Sequence, residues 1–176
     1  QNIYMESITM IAIEITDLKN FMNTLLLKET FDTFYLEEAT LKTAQTFIID
    51  GHLNKDFYTK EELENSQLTN QEFSSYGSLR PFIFSLVKGN HTPLYFKFVL
   101  HTSTSYMQKL LQKNNLTPEE LQLKSLVLNI KYDGTKLICT TGTAYHTFVM
   151  DKTVDAIWDK ALKASFSSMG ITFEEL

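Results

Sequence analysis

The chain of 176 residues contains one cysteine, Cys139, and one arginine, Arg80. A single thiol excludes an intrachain disulfide and points to a reducing, cytoplasmic setting. A single guanidinium excludes recognition by a cluster of bidentate arginines, since every other basic residue is lysine. With three prolines and six glycines, the chain is too poor in both to be a linker or a collagenous repeat. No apolar run approaches the ~20 residues that cross a bilayer, so no membrane helix is expected. No basic stretch precedes an apolar one near Gln1, so there is no signal-peptide pattern, and Met5 or Met10 is the expected natural start. Paired histidines, metal-spaced cysteines and a glycine-rich loop feeding a helix are also missing. No cofactor or metal is expected, and no motif assigns an activity.

What is present is material for a core. Apolar residues make up 43% and aromatics 12% of the chain, enough for one packed domain over 1–176. The net charge of −5 argues against a surface coated with DNA-binding charge, while leaving room for a local basic strip.

The densest apolar stretch, 78–100, sets the organisation. Leu79, Phe82, Ile83, Leu86 and Val87 have helical spacing, with Ser78 as N-cap, Pro81 in the first turn and Lys88-Gly89 as the stop. Leu94–Leu100 then alternates, with Tyr95, Lys97 and Val99 on one side and Phe96, Phe98 and Leu100 on the other. Upstream, Ser7–Ile15 reads as a strand and Thr16 or Asp17 caps a helix to Lys28. Strands follow between Thr33 and Tyr58, with an irregularity near Glu37-Glu38 and a hairpin expected at Asp50-Gly51 between Thr46–Ile49 and His52–Phe57. The polar, acidic segment 59–77 reads as a mobile surface connection, with a lid or partner-docking loop as the sharper alternative.

Downstream, Ser103 or Thr104 caps an amphipathic helix to Asn115, burying Tyr106, Met107, Leu110 and Leu111. Thr117-Pro118 starts a short helix. Leu126–Tyr132 and Lys136–Thr141 flank Asp133-Gly134 as the clearest hairpin. Gly142 reads as a turn before a further strand, Ala144–Val149. Asp151 caps a last helix to Ser167, and Thr172–Leu176 is expected to fray. The expected fold is α+β, a largely antiparallel sheet with amphipathic helices packed on it. The element order can be read as two strand–helix–three-strand repeats, over 7–58 and 94–150, with a central and a C-terminal helix; chance recurrence of a common α+β unit is the favoured reading.

In topology this repeated unit looks like that of DNA sliding clamps, where the helices line a ring around DNA and the strands form an outer sheet; no clamp motif is matched. Separately, the runs LRPFIFSLVKGNHTPLYFKFVL and MIAIEITDLKNFMNTLL resemble a family of short bacterial proteins of unknown function. That resemblance implies no activity, cofactor or partner.

Candidate chemistry is sparse. His52 with Asp50 and Asp56 is the nearest approach to a metal set, and the four histidines otherwise read as scattered. Cys139 reads as a buried structural thiol, with a Cys139–His146 nucleophile pair as the sharper alternative. Glu37-Glu38 and Glu61-Glu62 are sequence neighbours and read as solvated. Arg80 reads as an ion pair near the helix start or, alternatively, as an anion anchor. Lys19 and Lys28 on one helix, and Lys109 and Lys113 on another, would form a mildly basic strip if the halves are related by a pseudo-twofold axis. Phosphate contact is the sharper meaning and two solvated helix faces the favoured one.

The favoured function is a non-catalytic binding or assembly module that engages a protein partner or itself through a strand edge or the aromatic strand Tyr95–Leu100. A small enzyme using His101, His146, Arg80 or Cys139 is the alternative, and weak nucleic-acid binding is a third. The module reading expects dispersed histidines and no deep pocket with converging polar groups.

Overall fold

The computed structural model describes residues 11–176. Strand β1 (Ala12–Ile15) leads into helix α1 (Leu18–Leu26), whose Asp17 cap accepts the Asn20 N–H. Next come β2 (Tyr35–Lys42) and β3 (Thr46–Asp50), then a 3-10 turn at Lys55–Phe57 and helix α2 (Lys60–Asn65). A two-residue strand, β4 (Ser74–Ser75), precedes α3 (Tyr76–Val87) and β5 (Tyr95–His101). Helices α4 (Thr104–Gln112) and α5 (Pro118–Leu121) are followed by β6 (Leu123–Tyr132), β7 (Leu137–Tyr145), α6 (Thr153–Ser168) and β8 (Phe173–Glu175). The fold is α+β. Eight strands form one antiparallel sheet in the order β3-β2-β5-β6-β7-β1-β8, with β4 on the β2 edge beside β3.

Register explains where the core lies. Phe96, Phe98 and Leu100 of β5 stand opposite Tyr132, Ile130 and Leu128 of β6, and Cys139 of β7 stands opposite both Ile130 and Ile13. These side chains share one face and pack with Phe21, Leu25, Phe31, Ile83, Trp158 and Phe166 from the covering segments. The alternation expected within Leu94–Leu100 is the alternation seen. The hairpin at Asp133-Gly134 also forms: the Asp133 carboxylate accepts from the N–H of Thr135 and of Lys136, and Gly134 has φ +98. Those backbone donors, Lys136 first, hold the Asp133 carboxyl down at about 2.

Other expectations are corrected. Asp50-Gly51 does not turn a hairpin; β2 and β3 are joined at residues 43–45, and 52–57 adds only an isolated bridge from His52 to Phe73 and the 3-10 turn. Gly51 is required for close approach instead. A Cβ there would lie 1.7 Å from the Leu36 carbonyl oxygen, while the Gly51 N–H donates to the Glu37 carbonyl. Segment 59–77 is built, with a capping box between Thr59 and Glu62, strand β4 and the first turn of α3. Because α3 begins at Tyr76, its buried line is Tyr76, Ile83 and Val87, which turns Phe82 outward (69% exposed). Gly142 sits inside a continuous β7, so no separate strand Ala144–Val149 forms. Thr172–Leu176 is tied down: β8 pairs with β1, and the Leu176 N–H donates to the Ala12 carbonyl.

The two-repeat arrangement is not seen. Each candidate half supplies two long strands after its helix rather than three, and the topological basis for the clamp likeness goes with it. The part of the leading strand expected over 7–10 lies outside the described residues.

Candidate functional site

Two β-bulges frame the site. A bulge gives one strand an extra residue, bends it and re-aims its side chains. The first interrupts the β2–β5 ladder between Leu36 and Glu38, at the irregularity expected from Glu37-Glu38. The second interrupts the β6–β7 ladder between Leu123 and Ser125. Between them His101, the last residue of β5, faces away from the core side of Leu100 and is only 6% exposed.

The bulged residues meet this imidazole. Glu37 Oε1 lies 3.0 Å from His101 Nε2, and Ser125 Oγ lies 2.7 Å from Nδ1. An ionised carboxylate accepts only, which assigns the proton to Nε2 and leaves Nδ1 to accept from the Ser125 hydroxyl. The hydrogen bond from His101 holds the Glu37 carboxyl below its ordinary value, against the opposing effect of burial. Phe73 stacks on the His101 ring at 4.7 Å and contacts His52 edge-on at 4.7 Å. His52 is in turn held by Asp50, whose carboxylate accepts from the His52 backbone N–H at 2.9 Å and lies against the ring. Gly51, pressed onto β2, thus places His52 under the loop that carries Phe73.

Above this column lies a cleft of about 470 Å³. Its walls come from five separate parts of the chain: Tyr35, the loop 67–73, His101 with the start of α4, Lys124-Ser125, and His146. The lining is mostly hydroxyl, amide and imidazole, with a Lys124–Glu72 ion pair at 3.1 Å among its residues. One polar atom is left over. Thr102, 5% exposed, has a hydroxyl with no hydrogen-bond partner among the described residues, although its N–H donates to the Leu126 carbonyl.

The remaining candidates fall elsewhere. Cys139 is fully buried in the core, where loss of hydration pushes its thiol up, and no hydrogen bond joins it to the exposed His146. Arg80 grips Asp32 with two bonds of 2.7 and 3.1 Å and reaches the Leu27 carbonyl, so its fork serves the α1–α3 junction. His91 lies exposed in a loop and Asp56 in the 3-10 turn. Among the described residues no three His, Cys, Asp or Glu side chains converge as a metal set. Lys19 and Lys28 lie on and just after α1, which packs on α3. Lys109 and Lys113 lie on and just after α4, which packs on α5 and β6.

Two of the four histidines therefore line one cleft, contrary to the expectation that all four are dispersed. Ser125, Phe73 and Thr102 carried no sequence signal of their own. Glu37 did, through the broken alternation around it.

A model of the family of unknown function designated DUF5721 matches residues 24–174. The chain belongs to that family. The match covers both bulges, the Glu37–His101–Ser125 relay and the whole cleft, so the site is part of the DUF5721 domain. It carries no link to sliding clamps. No curated protein and no solved structure matches the chain. Among the described residues no helix is long and apolar enough to cross a membrane.

Proposed function

We propose that this DUF5721 domain is a non-catalytic binding module that takes a small polar ligand in the bulge-framed cleft, in place of the pocketless module expected from the sequence. The observation that carries the reading is convergence. Polar side chains from five distant segments line one concavity whose volume, about 470 Å³, is that of an ordinary small-molecule site. His101 is 6% exposed and its ring is stacked on Phe73, which suits a fixed wall better than a mobile proton carrier.

The test is a thermal-shift and calorimetric screen of nucleosides, sugars, amino acids and dicarboxylates. It compares wild type with Thr104→Trp, which plugs the mouth from the exposed first residue of α4. A ligand at 100 times its Kd stabilises by about 2.7 kcal/mol, a shift of several degrees at this chain length. A binder lost in Thr104→Trp supports the reading. Binding that is unchanged in that variant, or absent throughout the panel, ends it.

One observation favours a second reading. Ser125, His101 and Glu37 form the hydroxyl–imidazole–carboxylate chain of a serine nucleophile, although Ser125 meets Nδ1 and the carboxylate meets Nε2. Modification of Ser125 by a fluorophosphonate, located by mass spectrometry and lost in His101→Ala, would move the assignment to a hydrolase. A protein partner or a second copy would engage the free edge of β3, where Ile48 is 73% exposed. Light scattering over a concentration series, with Ile48→Lys as control, tests that edge.

A further inference from the structure

The cleft shares a wall with a second hollow of about 160 Å³, and the shared residue is Thr102. This hollow is a different environment. Phe31, Phe34, Tyr106, Trp158, Leu162 and Phe166 line half of it, with Met169 and five Ser and Thr residues completing the wall. The rings brace one another: Phe31 packs on Phe34 at 5.5 Å and on Phe166 at 6.3 Å, and Tyr106 meets Trp158 edge-on at 6.2 Å. Trp158 is fixed further, because its indole N–H donates to the Val127 carbonyl at 2.9 Å. The hollow is thus preformed. An engineered protein cavity of ~150 Å³ lined by Leu, Ile and Phe stays dry and binds benzene. A hollow of about 160 Å³ walled by five aromatic rings and as many Ser and Thr residues has a similar capacity, one six-membered ring.

Thr102 turns that capacity into a ligand class. Its hydroxyl is buried without a partner, at the one residue that touches both the aromatic hollow and the polar cleft. Leaving such a group unsatisfied is costly. The oxygen has under 1 Å² of exposed surface, so a ligand oxygen would relieve it once the Thr102 side chain turns toward the ligand. We infer that the ligand of the cleft is a small amphiphile: a single aromatic ring seated in the hollow, carrying a polar group that bonds Thr102 and continues into the cleft. This rests on the cleft being a binding site, as proposed above.

The experiment uses benzyl alcohol and toluene as probes, with the emission of Trp158, the only tryptophan in the chain, as a reporter built into the wall. Both probes should change that emission saturably in wild type. Thr102→Val should weaken benzyl alcohol by about five- to tenfold, the value of one buried hydrogen bond, and leave toluene unchanged. Ser165→Leu, which fills the hollow from α6, should abolish both. Equal binding of benzyl alcohol by wild type and Thr102→Val overturns the inference, and so does equal binding of toluene by wild type and Ser165→Leu. No response to either ring probe, with the polar panel still bound in a Thr104→Trp-sensitive way, overturns it and leaves the cleft reading standing. Loss of every binder overturns the two together.

Discussion

Two buried hydroxyls in this domain should respond to removal with opposite sign. Tyr76, with no exposed surface, donates its hydroxyl hydrogen to the Leu25 carbonyl at 2.7 Å. Leu25 lies in the last turn of α1, where carbonyls have no intrahelical donor, so this phenol is what satisfies it. Tyr76→Phe keeps the ring and strands a buried acceptor. The lost bond and the unsatisfied carbonyl together should cost roughly 1.5–3 kcal/mol. At about 2–4 °C per kcal/mol for a chain of this length, Tm should fall by roughly 3–12 °C. Thr102→Val also removes a hydroxyl at nearly constant shape, but this one has no partner to strand. Its stability should stay level or rise by up to about 1 kcal/mol. Urea unfolding followed by Trp158 emission reads both variants, because the indole is 1% exposed in the native state. Equal destabilisation of the two at unchanged denaturant slope would refute the reasoning.

Gly51→Ala should lose several kcal/mol or fail to fold, since the new methyl would sit 1.7 Å from the backbone oxygen of Leu36; circular dichroism at increasing temperature reports it. Asp159, which accepts the Thr141 hydroxyl, has its carboxyl raised by burial and by the neighbouring Asp155. A raised acid means the native state holds the extra proton, so this group's contribution falls as pH climbs from its unfolded value near 4 through the raised one. Asp159→Asn keeps the acceptor and should flatten that part of the stability–pH curve. A curve that is unchanged would contradict the assignment. If the lysine-bearing helices contact phosphates, binding of a labelled single-stranded oligonucleotide should weaken with salt and further in a Lys109→Glu/Lys113→Glu variant. Salt-independent or absent binding removes that partner.

Several local signals in the sequence were legible where one short-range rule decides the outcome, though the Ser78 cap was not among them, since α3 starts after Ser75. The alternation through Tyr95–Leu100, the turn at Asp133-Gly134 and the caps Asp17, Ser103 and Thr117 each act over a few residues, and all are found. The Asp50-Gly51 turn failed because glycine has two uses. Here the missing Cβ admits another strand's carbonyl rather than a positive φ, and nothing nearby in the chain distinguishes the two. The site was legible only at its edge. Glu37, His101 and Ser125 come from three strands joined by long connections, and only the two bulges bring their side chains to one point. The hollow beneath α4 was hidden for a related reason. Tyr106 read as an ordinary core residue, and the space left unfilled beside it, Trp158 and Phe166 is set by how two helices seat on the sheet.

Strand β1 pairs through Ile13 with Cys139 on one side and Glu175 on the other. Its contacts are therefore among the most distant in sequence that the fold contains, and topology of this kind slows folding. During synthesis β2, β5, β6 and β7 can assemble in succession, while Ile13 and Ile15 wait for a partner made much later. The slot between β7 and β8 should be the last part of the sheet to close and the first to open, and amide exchange along β1 would reveal it.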